Sequence, residues 1–167
     1  MPAAPLVSDT SPLLYLGSIG QVGVLPKLFS RVHVPEPVIK ELDAGRLLHR
    51  DTVDPRQLPW IDIVPVSAVL VEALPFNTLG PGERAAIAYA VHIPDATVAL
   101  DDRQARLFAG RLGLPVVGLV GILLQAKTAG MFAAVKPYLD AARSSGFFLH
   151  PATYARALAL AGEPDRA

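Results

Sequence analysis

The sequence predicts an α/β domain built on a parallel sheet with helices over both of its faces. Three observations lead there. Short apolar runs that suit buried strands alternate with helical patterns along the chain, and two of those runs end abruptly in acidic residues just before a helix opens. No fixed-period repeat or low-complexity linker divides the chain, and 167 residues suit one domain, 1–167, with a single core.

The first strand is Leu6–Ser8, which gives way to Asp9-Thr10-Ser11 and then to the helical pattern Pro12-Leu13-Leu14-Tyr15-Leu16-Gly17. Ser11 or Thr10 is placed to cap that helix, and Pro12 suits its first turn. Residues 20–30 carry Val22, Val24, Leu25, Leu28 and Phe29 in a second short helical segment, and 31–35 form a second strand. A helix follows over 35–42, where proline and an early glutamate make good N-terminal chemistry and Glu41 lies beside the buried face of Val38 and Leu42. Residues 43–59 show no sustained period and are expected to be loop and ragged helix. Residues 60–66 alternate like a strand that Pro65 assigns to a sheet edge.

Turn residues at 79–82 open a helix running to Ala90 with Glu83 in its first turn. A strand over 96–100 ends in Asp101-Asp102, repeating the N-terminal order of strand, acid, helix, and its helix runs over 103–112 to Gly113. Residues 114–118 form another buried strand. Helices follow over 120–129 and 135–145, each ended by glycine. Residues 150–167 form a C-terminal helix and a polar tail.

Fifteen basic residues balance fifteen acidic ones, so the whole-chain charge points to neither nucleic acid nor an anionic membrane, while leaving room for a local basic rim. The absence of cysteine excludes disulfides, thiolate zinc sites and a cysteine nucleophile. The start has neither the positive n-region nor the long apolar stretch of a signal peptide, and no apolar run approaches the roughly 18 residues that span a bilayer. The expectation is a soluble, cytoplasmic protein with no membrane partner.

Asp9, Glu41, Glu83 and the pair Asp101-Asp102 each lie at a strand end, a helix start or beside an apolar helix face. In a parallel sheet the strand ends fall on one edge, in the crevice where ligands bind. Carboxylates gathered there repel, and a proton or a hard divalent cation relieves the repulsion. Each also has a plainer role open to it: Asp9 and either of Asp101 and Asp102 can cap a helix, Glu83 can complement a helix N-terminus, and Glu41 can face solvent. Ser8, Thr10 and Ser11 are placed to support Asp9 by hydrogen bonds or simply to cap. His33, His49, His92 and His150 lack metal-ligand spacing, and Gly80-Pro81-Gly82 and Gly118-Leu119-Val120-Gly121 lack the residues of a phosphate-cradling loop.

These motifs resemble the PIN-domain nucleases, and more closely the DUF3368 subgroup related to VapC-type toxins. The resemblance rests on Val7-Ser8-Asp9-Thr10-Ser11-Pro12-Leu13, on the run from Val34 to Leu42, on Gly82-Glu83-Arg84-Ala85-Ala86-Ile87-Ala88, on Leu100-Asp101-Asp102-Arg103-Gln104-Ala105-Arg106, and on Leu114-Pro115-Val116-Val117-Gly118 with the run from Gly121 to Lys127. It covers nearly the whole chain. It implies a compact three-layer α/β/α sandwich with a central parallel sheet and a ribonuclease site of four acids that uses Mg2+ or Mn2+ against single-stranded RNA. Asp9 matches the first acid and Glu41 the second. Glu83 stands where many relatives have aspartate, which keeps the charge and lengthens the reach. Asp101 best matches the last acid, with Asp102 as its substitute, and Thr10 matches the hydroxyl residue that follows the first. The alternative is a non-catalytic PIN-like interaction module; acids at all four positions favour the enzyme.

The resemblance further implies a toxin partnered by a small antitoxin protein, and a homodimer. The apolar residues of 20–30, the outer side of the Leu13 to Leu16 helix and the C-terminal helix supply surface that either closes the core or forms such an interface. A rim of Arg84, Arg103 and Arg106 is expected to hold the RNA backbone.

Overall fold

A computed structural model describes residues 3–48, 53–75 and 77–164; His49 and residues 165–167 of the expected tail lie outside the described residues. Five parallel strands form one sheet: β1 (Leu6–Ser8), β2 (Val32–Pro35), β3 (Ile61–Val64), β4 (Thr97–Ala99) and β5 (Val116–Val117), in the order β3-β2-β1-β4-β5. β1 pairs with β2 through Leu6 opposite Val32 and with β4 through Val7 opposite Val98. The chain builds outward from β1 to one side and then returns to build on the other, so the order reverses between β1 and β4. The helices are α1 (Thr10–Ser18), α2 (Leu25–Leu28), α3 (Glu36–Leu48), α4 (Ala68–Glu72), α5 (Pro81–Ala90), α6 (Arg103–Arg111), α7 (Leu119–Thr128), α8 (Lys136–Ser144) and α9 (Pro151–Leu160). This is the α/β/α sandwich that the resemblance implies.

Successive strand residues point to opposite faces, and β1 shows the consequence in two neighbouring side chains. Leu6 joins one buried cluster with Leu16, Leu25, Val38, Leu123, Leu139 and Leu158, while Val7 joins another with Ile87, Val98, Leu100 and Ala105. The central strands are thus covered on both sides, as all-parallel sheets require. β3 lies at an edge, as Pro65 implies, with Pro65 just beyond its last residue.

One expectation is corrected, and the place of one set of residues left open above is decided. α3 continues through 43–48, a stretch expected to be irregular, because charges rather than apolar periodicity support it. Arg46 pairs with Asp43 one turn earlier, and Arg56 Nη2 donates to Asp43 Oδ2 at 2.6 Å. The apolar residues offered above as an interface go mainly to the core: Leu13, Leu16, Val24, Leu25 and Phe29 are buried, with Val22 and Leu28 packed against them. On α9, Tyr154, Ala157 and Leu158 are buried as well. No helix among the described residues is long and apolar enough to cross a membrane.

The C-terminal layer is latched by one side chain. Glu163 Oε1 accepts from the Val135 N–H at 2.6 Å and from Lys127 Nζ at 2.5 Å, while its Oε2 accepts from the Lys136 N–H at 3.0 Å. This carboxylate caps the otherwise unsatisfied start of α8 and ties the segment after α9 to α7.

Candidate functional site

Asp9 stands at the C-terminal end of β1 and Asp101 just beyond β4, on either side of the reversal in strand order, which is where open parallel sheets offer a crevice. The Asp9 N–H still bonds the Ala99 carbonyl at 3.1 Å, so the two strand ends are adjacent. Glu41 arrives from the second turn of α3, and Glu83 from the first turn of α5.

Asp9 occupies the N-cap position of α1, yet its side chain makes no capping bond. Its carboxylate is almost fully buried, and Oδ1 has no hydrogen-bond partner among the described residues. A buried carboxylate oxygen without a donor is costly and calls for an explanation. Burial pushes the Asp9 carboxyl up to about 7; the neighbouring Thr10 N–H offsets part of this, and the charges of Glu83, Glu41 and Asp101 add to it. The electrostatic reach of these three acids onto Asp9 places all four in one field.

The hydroxyls of α1 do not support Asp9, as the sequence suggested, but the acids beside it. Thr10 Oγ1 donates to Glu41 Oε2, and Ser11 Oγ donates to Asp101 Oδ2 at 3.0 Å. Ser8 Oγ donates to the Asp9 backbone carbonyl. The other oxygen of each acid docks on a helix start: Glu41 Oε1 accepts from the Gly82 N–H at 2.9 Å, and Asp101 Oδ1 accepts from the Leu119 N–H at 2.8 Å. Free N–H groups and the helix dipole favour a carboxylate at both places. Burial raises the Asp101 pKa, against the lowering effects of Leu119, Ser11 and Arg106. Glu83 Oε2 accepts from the Gly80 N–H at 3.1 Å at the start of its own helix. Its pKa is raised by burial against that N–H, with Asp102 and Glu41 pushing further.

Sequence reading missed two glycines that this docking requires. A Cβ at Gly82 would lie 2.5 Å from Glu41 Oε2, and one at Gly118 would lie 2.8 Å from Asp101 Oδ1 and 2.7 Å from Arg106 Nη1. In the sequence alone, Gly80-Pro81-Gly82 and Gly118-Leu119-Val120-Gly121 read as ordinary turns. Gly82 and Gly118 each leave space for a carboxylate from a distant part of the chain.

Asp102 takes the plainer role, accepting from the Ala105 N–H at 2.9 Å as the cap of α6. Arg106 Nη1 donates to the Leu100 carbonyl at 2.9 Å beside Asp101, and Arg103 shares a hollow with it. Arg84 is half-buried on α5, and its Nε has no partner among the described residues.

Among the described residues, no three acidic or histidine side chains are placed to hold one ion as they stand. The four acids share an edge rather than a point, because Glu41, Glu83 and Asp101 are turned toward N–H and hydroxyl donors. The chemistry nevertheless fits a hard divalent cation: the donors are all oxygen, they carry excess negative charge, and Asp9 Oδ1 is unsatisfied.

Two outcomes follow from this geometry. Gly82→Ala and Gly118→Ala should each displace the carboxylate seated there and destabilise the fold by about 1–3 kcal/mol, measurable by urea unfolding. For Asp9, a folded-state pKa near 7 against 3.8 means that the folded chain holds the proton more tightly. Its stability is therefore favoured at low pH and falls as pH rises between those values. In chelator, Asp9→Asn should match wild type near pH 4 and become progressively more stable than it toward pH 8, by at most about 4 kcal/mol. Parallel melting curves at the two pH values would contradict this.

Comparison with curated proteins finds no match at a significant level. The family model DUF3368, described as a PIN domain, matches residues 5–163. That span holds all five strands and every acid described above, and the chain belongs to the DUF3368 family of PIN domains, a nuclease-type fold.

Proposed function

We propose that this protein is a divalent-cation-dependent endoribonuclease that hydrolyses phosphodiester bonds in single-stranded RNA. The observation that carries the proposal is the buried, unpartnered Asp9 Oδ1 at the reversal in strand order, in the combined field of Glu41, Glu83 and Asp101. Asp9, Glu41, Glu83 and Asp101 would hold Mg2+ or Mn2+, with Asp102 adding charge nearby. When bound, such a cation supplies Lewis acidity toward water and the phosphodiester.

The chain's own residues supply the rest. Thr10 and the Gly82 N–H fix the direction of Glu41, and Ser11 and the Leu119 N–H fix that of Asp101, so two of the four acids are oriented before any ligand arrives. Arg103 and Arg106, on the first turns of α6, flank Asp101 and are placed to hold the charged backbone of a strand entering the site.

The test is cleavage of single-stranded RNA by purified protein with magnesium or manganese. Chelator should abolish cleavage, and Asp9→Asn should reduce it by roughly 100-fold or more, since even changes behind a metal ligand commonly cost 10–100-fold. Equal cleavage by Asp9→Asn would exclude the proposed mechanism. Manganese should also raise the melting temperature of wild type but not of Asp9→Asn.

The resemblance to VapC-type toxins extends the proposal to partners. The protein would act as the toxin of a toxin-antitoxin pair in the cytoplasm, as a homodimer with a small antitoxin protein bound beside the acids. Light scattering on the purified chain should give twice the monomer mass in the micromolar range; a monomer throughout would remove the dimer.

A further inference from the structure

The acidic edge does not end at Asp101. From there a hollow of about 770 Å³ runs past β5 and the first turns of α7 to the wall formed by α9 and the segment before it. Its floor is apolar and includes Val120, Leu124 and Ala157. Among the described residues, the charged side chains that line it are Arg103, Arg106 and Arg156, with Asp101 as the one carboxylate. His150 lies on the same wall; its Nδ1 accepts from the Ala152 N–H at 3.1 Å, which leaves Nε2 as the protonated nitrogen of the neutral ring.

Phe148 stands on this hollow with 85% of its surface exposed, though the residues on either side are anchored. Phe147 packs edge-on against Tyr15 with ring centroids 5.0 Å apart, and Leu149 is buried. Tyr15 also donates to the Gly146 carbonyl at 3.3 Å. The segment therefore holds one ring inward, one outward and the next side chain inward, and the outward ring is presented from a fixed base. A large ring left in water between a half-buried and a buried neighbour is the kind of exposed apolar group that marks a contact site.

We infer that Phe148 is the stacking platform for an unpaired base of a nucleic-acid strand whose backbone is held by Arg103, Arg106 and Arg156. The inference rests on the proposed action on single-stranded RNA and names where that strand runs beyond the reacting phosphodiester. Three arginines against one carboxylate complement a polyanion, and a flat aromatic face beside them is the combination that binds single strands without reading their sequence. A duplex keeps its base faces covered and cannot use the ring. Continuity with Asp101 leads the same strand into the acids.

Binding is measured in chelator, by fluorescence anisotropy of a labelled RNA of about 12 nucleotides, so that cleavage plays no part. Phe148→Ala should weaken binding of the single strand about 10-fold, and Phe148→Trp should restore it. Blunt duplex RNA of the same length should bind wild type and Phe148→Ala equally. One abasic position in the RNA should cost about as much as Phe148→Ala, with little further loss when the two are combined. Arg156→Gln should lower the slope of log affinity against log salt by about 1. Unchanged single-strand affinity in Phe148→Ala would overturn the inference and leave the ring to a protein partner, even if the protein cleaves RNA. Equal losses for duplex and single strand would overturn it too. If no RNA is cleaved with either metal while the single-strand losses persist, the nuclease proposal falls and the stacking site stands.

Discussion

A carboxylate held out of water beside other carboxylates is the constraint around which the rest of this molecule is arranged. Asp9 follows a strand buried on both faces, so its charge is shielded by neither solvent nor a donor on Oδ1. Neighbouring acids worsen that cost, and the fold manages them individually. Glu41 and Asp101 are each held between a hydroxyl of α1 and the start of a helix from elsewhere in the chain. The same short helix that follows Asp9 therefore supplies the donors for its two neighbours, which couples the geometry of the acids to the position of β1. Among the described residues Asp9 Oδ1 meets no donor, and its burial is relieved by a proton or by the proposed cation.

Much of this was legible in the sequence, for identifiable reasons. A buried strand that ends on an acid is a local pattern, so the strand-end places of Asp9 and of the pair Asp101-Asp102 could be read directly, though not which of the pair caps α6, and the alternation of strands and helices pointed to the parallel sheet. Residues whose meaning depends on a distant partner could not be read. Gly82 and Gly118 look like ordinary turn glycines until a carboxylate from α3 or from the end of β4 is seen in the space a side chain would fill. Ser11 looks like a cap, and its partner lies ninety positions away. Composition likewise failed to distinguish core from interface: Leu25 and Phe29 have the same hydrophobicity in either place, and only the packing of α2 under the sheet shows which role they take. The later turns of α3 were missed because the Asp43, Arg46 and Arg56 pairs that support them leave no apolar period.

The site and the hollow beside it divide two tasks between opposite kinds of surface. Asp9 is buried and Glu41, Glu83 and Asp101 are half-buried along the same edge, a set of like charges that suits the proposed cation. The hollow is open, apolar at its floor and basic around its lining, a setting that gains from a charged, partly aromatic polymer. Arg106 joins the two, since its guanidinium is fixed by the Leu100 carbonyl while it moderates the charge of Asp101. Glu163 bears on the same division from behind, because it secures α7 and α8 to the end of the chain whose α9 forms the far wall.

The strand order also governs when the acids can meet. Within this domain Asp9 precedes Asp101 by a long stretch of chain, and β1 has its second neighbour only after β4 has been made, while Asp101 gains its seat only once Leu119 has followed. A ribosome making this domain therefore carries an incomplete set of acids until Leu119 has emerged. For a protein proposed to cut RNA, that delay separates synthesis from activity: the messenger being read and the ribosome reading it are exposed to a finished site only after the later half of the domain has emerged and folded onto the earlier.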